Sequence, residues 1–191
     1  MKLLIFVALL TLQSLSAQNY RPITASERTR YFGRTTFGPS ALLVSGPMAA
    51  GWRTLYNRPE EWGPNWEGFG RRYGSGQLNW TISNGAEVSF GAIWKEDPRY
   101  FRLGQGSVRT RLSQSLKQTF LSRYGDGEYR FGAAKAIGIT GAAFAQKLWV
   151  PPSIASNSDS ALRIGGGYAA RLFSNVIREF SPDLLKKFKK K

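Results

Sequence analysis

The sequence predicts a mostly α-helical single domain, a bundle of about five to six helices packed through rows of glycine, alanine and serine. Three observations carry that prediction. The stretch "SVRTRLSQSLKQTFLSR" sets Val108, Leu112, Leu116 and Phe120 at steps of four, the repeat of one helical face. "ALRIGGGYAARLFSNVIREF" aligns Leu162, Gly166, Ala169, Phe173, Val176 and Phe180 in the same way. Small residues recur four apart at Gly70 and Gly74, at Ala134, Gly138 and Ala142, and at Gly166 and Ala170. That spacing permits close helix–helix approach, in a membrane or in a water-soluble bundle.

The chain opens "MKLLIFVALLTLQSLSA": one lysine, an apolar run, then a small-residue exit. This is the layout of a signal peptide over residues 1–17, because a bilayer span needs about 20 apolar residues. A helical domain is expected over 18–183 and a basic tail over 184–191. In "TASERTRYFGRTTFG", Thr24 or Ser26 caps a short helix that stops at Gly38. Pro39 suits a first helical position, and that run reaches Asn57 with a kink at Gly46-Pro47. Pro64 begins a long third helix reaching Trp94 or Lys95. Ser107 caps the fourth, Gly125 stops it, and Gly125-Asp126-Gly127 marks a turn. "FGAAKAIGITGAAFAQKLWV" places Ile137, Gly141, Phe144 and Leu148 on one face, and Pro151-Pro152 ends it. The loop "SIASNSDS" leads to the last helix, where Arg163, Arg171 and Arg178 gather away from the apolar stripe.

Residues 77–94 read two ways. Trp80, Ile82, Ala86, Val88, Phe90, Ala92 and Trp94 share one parity around Asn84-Gly85, a hairpin signal. Extended over "YRFGAAKAIGI", that pattern describes a small outer-membrane β-barrel. Leu78, Ile82, Ala86, Phe90 and Ile93 make a helical stripe over the same residues. The fourth and last helices are hard to redraw as strands, so the helical fold is the expectation.

Composition narrows the chemistry. The chain has no histidine and no cysteine. Without them it has no disulfide, no Cys–His pair, no Ser–His–Asp triad and no ordinary zinc site. No cofactor and no metal are expected. The formal charge of +15 favours anionic partners. For an exported chain these are anionic lipid or envelope glycan, and not nucleic acid. Trp62, Trp66, Phe69 and Tyr73 cluster beside Arg71 and Arg72, as core, as an interfacial belt or as a glycan-stacking surface. In the tail, Lys186, Lys187, Phe188, Lys189, Lys190 and Lys191 are candidate contacts to a membrane or an anion, each lysine contributing about 1 kcal/mol at an anionic surface.

The block "WKEDPRYFR" concentrates rings and charge. Pro98 disfavours helical backbone at Asp97, so a helix should stop there. Arg99 and Arg102 are then free to pair with Glu96, Asp97 or the distant Glu179 through the planar guanidinium fork. "REFSPDL" repeats the arrangement, with Glu179 and Asp183 flanking Phe180 and Pro182. Glu96, Asp97, Pro98, Arg99, Arg102, Glu179 and Asp183 are therefore read as a structural clasp between two helix exits. No catalytic residue is assigned. Glu67 with Glu96 is the carboxylate pair that a glycan hydrolase would need.

"NRPEEWGPNWEGFGRRYGS", "KEDPRYFR", "FLSRYGDGEYRF" and "NVIREFSPDL" occur in this order with a spacing that resembles a family of uncharacterised exported proteins of acidobacterial type. The resemblance spans Asn57 to Asp183, with Ser181 where an aromatic is the rule. It implies a shared helical fold and export, and it carries over no catalytic residue. The expected role is a non-enzymatic, membrane-associated protein of the periplasm or cell envelope, peripheral or partly embedded. The alternative is an envelope glycan-binding module or glycan hydrolase.

Overall fold

The computed structural model describes residues 20–188, with side chains through Asp183. The expected leader and the lysine side chains of the tail lie outside them. The fold is mostly helical, and no barrel forms among the described residues.

Helix α1 (Ala25–Phe37) starts at Thr24, whose hydroxyl accepts the Glu27 N–H while Glu27 reaches back to the Thr24 N–H. This reciprocal cap satisfies two otherwise orphaned donors. The expected kink at Gly46-Pro47 is a π-helical turn, Ser40–Ser45, closed by Gly46 N–H to Ala41 O. Helix α2 (Gly46–Leu55) follows, with Pro47 in its first turn. Helix α3 (Trp66–Ile93) is capped by Asn65, whose Oδ1 accepts the Gly68 N–H at 2.8 Å. It settles residues 77–93 as helix, with Trp94 as its C-cap. Asn84 and Gly85 form no turn: the Asn84 amide donates to Thr36 Oγ1, and Gly85 lets the Phe32 ring approach.

Strand β1 (Glu96–Asp97) follows α3, so the helix ends before Asp97 and a strand takes the place of the expected helix exit. Helix α4 (Val108–Phe120) has Ser107 as its N-cap, but it ends five residues before Gly125. "LSRY" is needed as strand β2 (Leu121–Tyr124), which pairs antiparallel with both β1 and β3 (Tyr129–Phe131). Helix α5 (Ala133–Ala145) runs antiparallel to α3, with Gly138 against Ser83 and Glu87 and with Gln146 and Trp149 at Ser75. Helix α6 (Asn157–Phe188) begins inside the expected loop and continues through Pro182. The expected exit at Pro182 is therefore a mid-helix proline. Arg102 and Arg111 both donate to the Glu179 carbonyl, three residues before it.

The apolar stripes do not face inward. Amphipathic helices normally turn such stripes to the core. Here Val108, Leu112, Leu116 and Phe120 are exposed, as are Ile137, Gly141, Phe144 and Leu148 and, on α6, Leu162, Gly166, Ala169 and Phe173. Buried instead are Arg111, Ser115, Gln118 and Thr119 of α4, Glu87 of α3, Lys135 of α5, and Asn175 and Glu179 of α6. Among the described residues the fully buried apolar set is mostly alanine, with Ile139 and Val150 its only large members. Of the small-residue rows, Ala134–Gly138–Ala142 is buried against α3, whereas Gly70, Gly74 and Gly166 face open space.

Candidate functional site

Two charged clusters occupy the interior, both positioned by the polar stripes of the helices. The larger lies at the end of the molecule that holds the sheet. There Glu179 has no exposed side-chain surface. Its carboxylate accepts Arg111 Nε at 2.8 Å, Tyr100 OH at 2.8 Å, Leu103 N–H at 3.1 Å and Gly104 N–H at 2.9 Å. Asp183, one helical turn on, accepts Arg102 at 2.7 Å and Arg111 at 2.6 Å. Arg111 also lies 4.2 Å over the Phe180 ring. Burial works against the Glu179 carboxylate, but the Gly104 N–H, Arg111, Tyr100 and Leu103 donors outweigh it and hold its pKa below the ordinary value. Arg111 and Arg102 do the same for Asp183.

The "WKEDPRYFR" segment joins this hub to the rest of the fold. Arg99 grips its near neighbour: its Nη2 reaches Asp97 Oδ2 at 2.7 Å, and its own N–H reaches Oδ1 at 3.0 Å. Tyr20 OH donates to Asp97 Oδ2, and Tyr31 OH to Pro98 O. Glu96 Oε2 accepts the Ala134 N–H at 2.8 Å and Tyr124 OH at 3.2 Å, which ties β1 to α5 and β2. Thus Arg102 meets Glu179 and Asp183, whereas Arg99 and Asp97 close on each other and Glu96 pairs with neither arginine. Arg111, Tyr100 and Gln118, which clamps both backbone groups of Phe101, complete the cluster and were not expected. The signal for Arg111 and Gln118 was a polar stripe on α4, which in sequence is indistinguishable from a solvated face.

The second cluster sits mid-bundle. Arg171 pairs with Glu87 across α6 and α3. Lys135 donates from α5 to the carbonyls of Gln118 at 2.8 Å and Leu121 at 3.2 Å. Burial, with Arg171 nearby, pushes Lys135 down to about 8.

These three residues have a further property. From Tyr73 to Trp94 on α3, Glu87 is the only ionisable acid or base of the Asp, Glu, Lys and Arg set. On α5 the only one is Lys135, and from Ile164 to Ile177 on α6 it is Arg171. All three turn inward, so the packed wall α3–α5–α6 presents no such charge outward over about 20 Å of α5 and α6 and about 33 Å of α3, at 1.5 Å per residue. What it does present is apolar: Leu78, Trp80, Phe90, Ile137, Phe144 and Phe173 are all exposed. Trp66 and Trp62, from the expected aromatic cluster, stand at the α3 start, where Trp66 is 86% exposed and Arg72 is held by the carbonyls of Arg58, Pro59 and Gly63. No helix among the described residues is long and apolar enough to cross a membrane.

Glu67 and Glu96 lie at opposite ends of α3, Glu67 exposed beside Arg71 and Glu96 buried. Their separation, about 40 Å along the helix, far exceeds what two carboxylates can span across one glycosidic bond. No group of histidine, cysteine or acidic residues among the described residues could hold a metal ion. Comparison with models of protein families, with curated proteins and with solved structures finds no match to this chain.

Proposed function

We propose that this chain is a non-enzymatic cell-envelope protein whose α3–α5–α6 wall is partly embedded in a membrane. The inward turn of every Asp, Glu, Lys and Arg side chain in the middle of that wall carries the reading. A protein dissolved in water gains by placing such groups outside. In a lipid environment ionisable side chains face the bundle interior and pair with one another or with backbone carbonyls, as Glu87, Arg171 and Lys135 do. Each outward leucine or phenylalanine gains up to about 1.5–3 kcal/mol on leaving water.

Helices α1 and α4 carry outward cations, Arg30, Arg34, Arg109 and Lys117, so embedding is one-sided. The tail lysines Lys186, Lys187, Lys189, Lys190 and Lys191 add attraction to anionic headgroups, and Phe188 an apolar contact. Export by the 1–17 leader would deliver the chain to the periplasm or envelope.

Flotation tests the reading. The chain lacking 1–17 should float with vesicles of phosphatidylglycerol and phosphatidylcholine at low salt, and should remain with them in 1 M salt, since the embedded wall is not held by charge. Deleting 184–191 should weaken only the salt-sensitive part. A chain that stays with the aqueous fraction in every lipid mixture would contradict it.

A further inference from the structure

A cleft of about 710 Å³ opens at the sheet end, between the segment ahead of α1, the end of α3 and the β2–β3 hairpin. It borders the clasp, through Tyr20 on Asp97 and Tyr124 on Glu96, and lies at the sheet end of the apolar wall. Three cations line it, Arg28, Lys95 and Arg130, against one carboxylate, Asp126. Trp94 and Tyr124 supply ring surface.

Each cation is placed by the fold. Arg28 is 8% exposed; its Nη2 donates to Glu96 O at 2.6 Å, while its Nη1 is buried with no hydrogen-bond partner among the described residues. An unsatisfied buried donor on a charged group is costly, and such a group asks for an acceptor. Lys95 holds a left-handed backbone, φ 59°, which side chains rarely adopt, and strain of this kind concentrates where function fixes a residue. Its stem lies over Gly125, where an added Cβ would stand 3.3 Å from Lys95 Cβ. Lys95 makes no ion pair among the described residues. Arg130 lies over the Tyr124 ring, paired with Asp126.

The geometry points to a binding site for a phosphate-bearing organic ligand, its phosphate held by Lys95 and Arg130 over the buried charge of Arg28 and its remainder against Trp94 and Tyr124. Arginine forks match phosphate oxygens, and lysine adds a point charge. The volume is that of a small-molecule pocket and far exceeds a bare ion. The phosphate could be presented by a lipid headgroup or by a soluble phosphoester; the site does not require the membrane reading.

Calorimetric titration of the full chain lacking only 1–17, in a nonionic detergent, separates these sources. The probes are dihexanoyl phosphatidylglycerol, glycerol phosphate and inorganic phosphate. Saturable binding of one or more is expected, weakened about tenfold or more by Lys95→Gln and by Arg130→Gln, the scale of one lost charged hydrogen bond. Arg109→Gln, an equal charge change on the exposed face of α4, should leave it unchanged. Binding confined to the lipid assigns a headgroup; equal binding of glycerol phosphate assigns a soluble ligand. Both variants sit on exposed side chains, so folding, checked by circular dichroism, should persist where Arg28→Ala would endanger it. Absence of saturable binding by all three probes, or binding that Arg109→Gln weakens as much as the two cleft variants, overturns the site.

Discussion

Glu179 is charged, holds four donors and shows no surface, so its removal should be felt more than that of any surface acid. Breaking a buried pair from one side strands the other charge, at a cost of about 3 kcal/mol or more. Glu179→Gln should destabilise the fold on that scale in urea denaturation. Arg99→Ala should cost less, about 1–3 kcal/mol, because Arg99 is 30% exposed and Asp97 keeps the Tyr20 hydroxyl and the residue-99 N–H. The acid limb follows from the same contacts. Glu179 and Asp183 are held below their ordinary values of 4.5 and 3.8. Their contribution is therefore fully present above those values and is lost as pH falls through the lower folded ones. Glu179→Gln should flatten the loss of stability below pH 4.5. Lys135 gives a slope of the same sign in a higher pH window, but there burial penalises the charged form. Its pKa falls from 10.5 to about 8 on folding, so the unfolded chain binds more protons between those values and stability from this group rises with pH. Lys135→Met should remove that rise between pH 8 and 10. Above pH 10 the half-buried Tyr20 and Tyr100, both pushed up to about 12, contribute stability that is lost as pH climbs.

At the scale of the helix, glycines that look alike in sequence do different work. Gly138 lies where a Cβ would come within 2.5 Å of Ser83 O, so Gly138→Ala must part α5 from α3 and should destabilise by about 1–3 kcal/mol. Gly166 faces open space, and Gly166→Ala should stabilise the helix by up to about 1 kcal/mol. Thermal melting of the pair checks both. This contrast shows what the sequence could and could not disclose. The caps at Thr24, offered together with Ser26, and at Ser107 were legible because capping is local chemistry, whereas α3 was expected from Pro64 and starts two residues later, capped by Asn65. The hairpin at Gly125–Gly127 was legible for the same reason. The end of α4 at Phe120 was not, since Leu121–Tyr124 become a strand only because β1 and β3 arrive beside them. The periodicity of α4, α5 and α6 gave the right helices and one apolar face each. It could not say which way that face points, because a stripe of leucines has the same spacing against a core and against lipid. Half of the clasp was readable from its carboxylates and arginines; Arg111 joins it only through the antiparallel contact of α4 with α6, and Tyr100 through the path of the chain after β1.

The molecule as a whole is polar within, and its α3–α5–α6 wall is apolar and free of outward charge at mid-length, with exposed cations at the sheet end, on α1 and α4, and near the start of α3 at Arg53, Arg58 and Arg71. That division sets the orientation expected at a membrane: the α3–α5–α6 wall in contact with acyl chains, and the hairpin bearing Glu128 in water. The chain has no cysteine, so single cysteines carry a spin label without background. The deciding measurement is label accessibility at Phe144, Phe173 and Glu128 in vesicles, comparing molecular oxygen, which partitions into lipid, with a nickel chelate, which stays in water. Labels at 144 and 173 should favour oxygen and the label at 128 should favour nickel. If all three favour nickel alike, the wall faces water and the membrane reading is contradicted.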